Sequence, residues 1–268
     1  MTNILLCILG ALAVFYIAEK ILFSIQFKKQ VKEVFAQSKS LSDKKFSYKQ
    51  LIGLPDPVQR YFKHVLKEGQ PYISNVTLTH DGQFKIGSNK NWMDIEGVQY
   101  YSADKPAYIW KGRTAFFTAR DMYIINKGRL IVSLLEIINI VDAKGENYNE
   151  AELQRWVAEN VWFPTNLLPN ENLNWLPIDS QTAKLSFDYN GISFFFIVAF
   201  NEMGEIAQME TQRYMTDKKR ETWVCKLIDY KELNGIIVPT LGEVLWKLKT
   251  GDFCYAKFNL KTIDYNRQ

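Results

Sequence analysis

Arg155 and Glu159 stand four residues apart, with Trp156 next to the first and Trp162 three beyond the second. On a helix this spacing puts guanidinium and carboxylate on one face. They then form either a solvated salt bridge contributing about 0.2–0.5 kcal/mol or the charged lining of a cavity mouth. Arg213 beside Tyr214, Glu243 three residues before Trp246, and Gln99 between Val98 and Tyr100 are polar residues inside runs that alternate as strands. Facing inward, each must be partnered, because an unpaired buried charge is costly. With Trp110 on a further strand, the candidate ligand-binding set is Gln99, Trp110, Arg155, Glu159, Trp162, Arg213, Glu243 and Trp246. Arg155, Glu159, Arg213 and Glu243 would serve an acid–base centre only if they converged in one accessible pocket with a perturbed carboxylate. For each of them a structural pairing is the favoured reading.

Most familiar chemistry is absent from the sequence. His64 and His80 are the two histidines, too few for a histidine-built metal site. There is no H-E-x-x-H, C-x-x-C, Gly-rich phosphate loop or G-x-G-x-x-G, and no G-x-S-x-G elbow. No metal, no cofactor and no particular reaction is expected. Cys225 and Cys254 fall in strands and Cys7 in an apolar run, which reads as free thiols, buried in a reducing compartment, rather than a disulfide framework.

The elements that must position these residues are mostly strands. Residues 54–70 predict a helix, with Asp56 as cap, Pro57 at the first position, Gln59 completing a capping box and Gly69 as the stop. Val58, Phe62, Val65 and Leu66 form its apolar stripe. From residue 72 the period falls to two, with Asp81–Gly82 expected as a hairpin turn, and a meander follows to residue 125. Residues 130–141 are apolar almost throughout, and helix and strand both fit. Residues 149–160 predict a second helix, capped by Asn149 with Glu152 in the capping-box position. After Pro164, Pro169 and Pro177 strands resume, with a hairpin at Asn190–Gly191. The run Phe194–Phe195–Phe196 implies a strand covered on both faces. The fold class is mainly β (α+β), a curved antiparallel sheet or incomplete barrel with two or three helices against its concave face.

Charge and hydropathy divide the chain. The 268 residues carry 33 Lys+Arg against 29 Asp+Glu, net +4, with 47% hydrophobic and 14% aromatic residues. Seven lysines against Glu33 and Asp43 give residues 28–50 a net +5, so the remainder is nearly neutral, which excludes a nucleic-acid surface. Residues 4–18 are apolar, and the run extends past Glu19 and Lys20 to Phe27. This 24-residue stretch is long enough for a membrane span. It has no positive stretch before it and no small-x-small cleavage site after it, so a retained anchor is favoured over a signal peptide. The expected organisation is an anchor at 1–27, a basic juxtamembrane linker at 28–50 and one β domain at 51–268. Lys28, Lys29 and Lys32 keep the following domain cytoplasmic, at the cell membrane, by the positive-inside rule, and are placed to touch anionic lipid.

Residues Leu54-Pro55-Asp56-Pro57-Val58-Gln59-Arg60-Tyr61-Phe62, continuing to Gly69-Gln70-Pro71, resemble the opening signature of an uncharacterised, largely bacterial family known only as a domain of unknown function. Gly82, Trp92, Gln99, Asp121, Tyr123, Arg155-x-x-x-Glu159-x-x-Trp162-x-Pro164, Leu167-Leu168-Pro169, Arg213, Trp223, Glu243 and Trp246 follow in order, over roughly residues 50–265. The resemblance implies a fold similar to lipoprotein-carrier half-barrels and carries no reaction. The expected function is a membrane-anchored binding module for an apolar or lipid-like small molecule; an Arg/Glu enzyme or a membrane-assembly protein are the alternatives.

Overall fold

The computed structural model describes residues 2–38 and 43–266. Lys39 of the basic cluster lies outside the described residues. Three α-helices, α1 (Thr2–Phe35), α2 (Asp56–Val65) and α3 (Glu146–Glu159), accompany thirteen strands. The first meander is β1 (Asn75–Phe84), β2 (Met93–Ser102), β3 (Ala107–Arg113), β4 (Phe117–Ile124), β5 (Lys127–Leu134) and β6 (Ile138–Lys144). The second is β7 (Leu173–Pro177), β8 (Thr182–Tyr189), β9 (Ile192–Phe200), β10 (Ile206–Thr216), β11 (Lys219–Leu233), β12 (Ile236–Leu248) and β13 (Gly251–Tyr265). All pair antiparallel in one sheet, joined between the meanders by β1 and β13, with β6 and β7 as the two edges.

That order explains the place of α3. The chain leaves one edge of the sheet at β6 and must enter the other at β7, so the connection crosses the whole face. Seven strands separate β5 from β10, roughly 38 Å on a flat sheet at ~4.8 Å per strand. A helix about 10–12 Å across nevertheless touches both β5 and β10. The sheet is therefore wrapped around α3 without closing.

α2 lays Val58, Tyr61, Phe62 and Val65 into the same interior. Asp56 is its first residue rather than its cap; Pro55 precedes it and no side chain caps the end, although Gln59 Nε2 donates to Leu54 O at 2.8 Å. The helix stops at Val65, and Gly69 (φ 77°) then turns the chain so that its N–H donates to Phe46 O.

Several expectations are corrected. Asp81–Gly82 is not a turn: β1 runs straight through it, and a Cβ on Gly82 would stand 1.9 Å from Lys257 O, so glycine there permits the close approach of β13. Residues 130–141 are the β5–β6 hairpin, turned by Leu135 and Glu136 at positive φ. Ile138 and Ile140 are exposed, so apolarity did not signal burial there. α3 starts three residues before Asn149, after Gly145. Asn149 Oδ1 instead accepts from Gly128 N at 2.8 Å, and Glu152 points into the interior. The Asn190–Gly191 hairpin forms as expected, with both residues at positive φ. Phe196 is buried but Phe195 is exposed under Lys184 Nζ, so β9 is covered on one face only. Cys225 is buried, Cys254 half-buried and Cys7 exposed; all three are free.

The basic segment does not begin with a loop. α1 continues through Phe35, and Phe27, Gln30 and Val34 are buried against Ala107, Ile109, Met122 and Ile131, on the sheet face opposite α3. The middle strands are thus covered on both sides: Tyr108 and Trp110 of β3 face the interior, Ala107 and Ile109 face α1.

Candidate functional site

Three registered strands present a polar and aromatic ladder to α3. Gln99 of β2, Trp110 of β3 and Asp121 of β4 are successive partners, as are Tyr101, Tyr108 and Tyr123. Opposite them, Glu152, Arg155 and Glu159 occupy one face of α3 at i, i+3, i+7 spacing.

The two sets are joined by short bonds. Arg155 donates through Nη1 to Asp121 Oδ2 at 2.6 Å and through Nε to Glu159 Oε1 at 2.9 Å. Glu159 Oε2 also accepts from Gln99 Nε2 at 2.7 Å and Tyr101 OH at 3.1 Å. The Arg155 guanidinium lies 5.3 Å from the ring centre of Tyr108 and 5.1 Å from that of Trp110. Trp110 Nε1 donates to His80 Nε2 at 2.7 Å, and a Cβ on Gly97 would fall 2.1 Å from that same nitrogen, so only glycine leaves room for the pair. Burial holds His80 down at about 4, which keeps the ring neutral and able to accept.

A second arginine extends the network along β10. Arg213 donates to Ala151 O at 3.0 Å and to Glu152 Oε1 at 3.3 Å, with its guanidinium 4.7 Å from the ring centre of Trp223 and 6.0 Å from that of Trp246. Tyr108 OH donates to the other Glu152 oxygen. Burial and the neighbouring Asp121 carboxylate raise Glu152 to about 8, so it keeps its proton at neutral pH. Arg155 and Arg213 are then balanced by Asp121 and Glu159, and the cluster is neutral overall. Asp121 Oδ1 and Tyr123 OH are buried without a partner.

Of the expected site residues, Gln99, Trp110, Arg155, Glu159, Arg213 and Trp246 meet on this face. Glu243 does not: it pairs with Lys257 at 3.0 Å on the opposite face of β12 and β13. Trp162 does not: its Nε1 ties the end of α3 to Pro239 O at 3.1 Å. Asp121, Glu152, Tyr101, Tyr108 and His80 join the network without having been singled out for it. The i, i+3, i+7 spacing of Glu152 with Arg155 and Glu159 was the signal available for one of them. Among the described residues no group of three His, Cys, Asp or Glu side chains forms a metal-binding cluster. Two open pockets, one of about 520 Å³ lined by Asp81, Asp94, Glu96 and Arg113 and one of about 380 Å³ between α1 and the β5–β6 turn, include none of the network residues.

Residues 44–258 match the family of unknown function DUF6544. The chain belongs to that family. The DUF6544 match spans nearly all of the sheet and leaves out the whole of α1. Two solved structures are similar to the chain. A LolA superfamily protein from Nitrosomonas europaea is 9% identical at a TM-score of 0.45, covering 79% of this chain and 92% of its own. A DUF1329 family protein from Desulfovibrio piger is 10% identical at a TM-score of 0.35, covering 72% and 86%. No curated protein matches this DUF6544 chain.

Proposed function

We propose that this chain is a membrane-anchored module that binds an apolar or lipid-like ligand. The observation that carries the reading is the division of α1. Ile4, Leu5, Ile8, Leu9, Val14, Phe15, Ile21, Leu22 and Ile25 stand uncovered, while Val34, on the same unbroken helix, is wholly buried in the sheet domain. Residues 2–25 measure about 36 Å at 1.5 Å per residue, enough for a ~30 Å hydrocarbon layer. Such a surface needs a bilayer to cover it, and its continuity with the domain favours retention over removal as a signal sequence. Lys28, Lys29 and Lys32 follow the apolar stretch, which by the positive-inside rule puts the sheet domain in the cytoplasm, with the lysines at the anionic leaflet.

The ligand is better placed at the junction of helix and sheet than inside the sheet. The interior is filled by α2, α3 and the neutral ion network. A reaction centre built on Arg155, Glu159, Arg213 and Glu243 loses its fourth member to the other face, and neither of the two open pockets holds any of the four. The test is alkaline extraction of membranes holding the full chain, followed by mass spectrometry of what co-purifies. Retention in the membrane pellet with a bound amphiphile is expected. A chain recovered in the soluble fraction, cut after the apolar stretch, overturns the reading.

A further inference from the structure

The sheet face under α1 carries a buried cation with no acid in direct contact; Asp142, two strands away in register and engaged by Arg129, acts on it only at longer range. Arg120 of β4 is 1% exposed. Its Nη1 donates to Gln26 Oε1 and Gln30 Oε1, both at 3.0 Å, and its guanidinium lies 4.5 Å from the ring centre of Phe23. Its Nε is buried and has no partner, and among the described residues no carboxylate reaches ion-pair distance of it. Lys111 of β3 is its register partner on the same face, with its ammonium 4.5 Å from the ring centre of Phe27. Like charges directly across two strands repel, and desolvation adds to the cost. α1 meets both cations with phenyl rings and amides, which soften the charge but do not cancel it.

Arg120 lines the 380 Å³ pocket together with Leu22, Phe23 and Ile25 of α1 and Glu136 and Ile137 of the β5–β6 turn. Glu19 and Lys29 line it as well. Glu136 is engaged by Lys20 and accepts from Thr118 Oγ1. The charges that line the pocket balance in number, Lys29 and Arg120 against Glu19 and Glu136, but Glu136 is taken by Lys20, which leaves Arg120 without an ion-pair partner there. Gln26 and Asn139 complete the lining, and its apolar part, Leu22, Phe23, Ile25 and Ile137, continues into the uncovered side chains of α1. A site for free phosphate has no use for such walls, whereas an amphiphile has.

We propose that this pocket holds the phosphate of an anionic phospholipid, accepting from Arg120, with the acyl chain laid along Leu22 and Ile25 toward the apolar half of α1. This rests on α1 being a membrane span, and it assigns the headgroup class and the place of the lipid-like ligand. Glu19, Lys20 and Lys29 bracket the turns of α1 at which headgroups would lie.

The experiment uses the full chain in phosphatidylcholine nanodiscs with and without phosphatidylglycerol, reading by native mass spectrometry which lipid stays bound. Phosphatidylglycerol is expected to be retained about tenfold over phosphatidylcholine, the effect of one charge-assisted contact. Arg120→Met removes the preference. Leu22→Trp, at an exposed position outside the core, fills the pocket and removes it too. If Arg120→Met does not fold, Leu22→Trp decides alone. Unchanged preference in the folded variants overturns the proposal, as does displacement of the lipid by inorganic phosphate alone. A chain that stays in alkali-washed membranes without headgroup preference overturns only this site; a chain washed out of them overturns the span itself.

Discussion

The two faces of the central strands treat arginine in opposite ways. On the interior face Arg155 meets Asp121 and Glu159 within 2.6–2.9 Å, and Arg213 is held by Glu152 and a carbonyl. On the outer face, one residue along β4, Arg120 meets only two glutamines and a phenyl ring. The first arrangement binds helix to sheet through direct contacts with carboxyl groups, although Asp121 Oδ1 stays without a partner. The second leaves a charge to be answered from outside the chain. Buried charge alone therefore does not distinguish the two faces; a carboxyl group in direct contact does.

The sharpest way to break the comparison is Arg155→Met. It leaves two carboxylates buried without their cation and should cost about 3–5 kcal/mol in denaturant unfolding. A loss below about 1 kcal/mol would show that the interior network is no better satisfied than the outer one.

Glu152 gives the next effect. Its folded pKa of about 8 stands above the value of 4.5 for an unperturbed carboxyl, so the folded state holds an extra proton between the two. Its contribution is full below about pH 4.5 and is lost as pH rises through about 8. Wild type should lose on the order of 4 kcal/mol between pH 5 and 9 through this group, and Glu152→Gln should remove that slope. Thermal melts of both proteins across the range decide it.

Arg120→Met is the counterpart of Arg155→Met on the other face. Because no acid is orphaned, its unfolding free energy in a neutral detergent should stay within about 1 kcal/mol of wild type. A loss as large as that of Arg155→Met would erase the contrast.

The smallest effect is spectroscopic. His80 should remain neutral until about pH 4, while its unfolded-state value is near 6.5. Its contribution is present above 6.5 and is lost as pH falls through 4. Its ring resonances should move only at that acid limit, and coincident titration near 6.5 would mean that the Trp110–His80 bond is not kept.

What was legible in the sequence follows from periodicity. Period-two alternation located most strands and the Asn190–Gly191 hairpin, and the Arg155–Glu159 spacing identified the pair at the centre of the interior network. Side-chain pattern said nothing of which strand neighbours which, and so Glu243 could not be separated from Arg213; one residue of parity places them on opposite faces. Glu152 was hidden because a carboxylate near a helix start serves equally as a cap. Gly82 was misread because glycine beside aspartate is as good in a turn as beneath a crossing backbone. Arg120 drew no notice, since its meaning lies in the absence of a partner that only the fold could reveal.

α1 runs unbroken from Thr2 into the core at Val34, so no flexible tether separates the apolar half from the sheet. The helix is a drive shaft. Each residue inserted ahead of Phe23 would turn the apolar half by about 100° and shift it by 1.5 Å against the domain. Any partner that engages both at once must read their phase, so a one-residue insertion should uncouple it where a full-turn insertion of four residues would largely restore it.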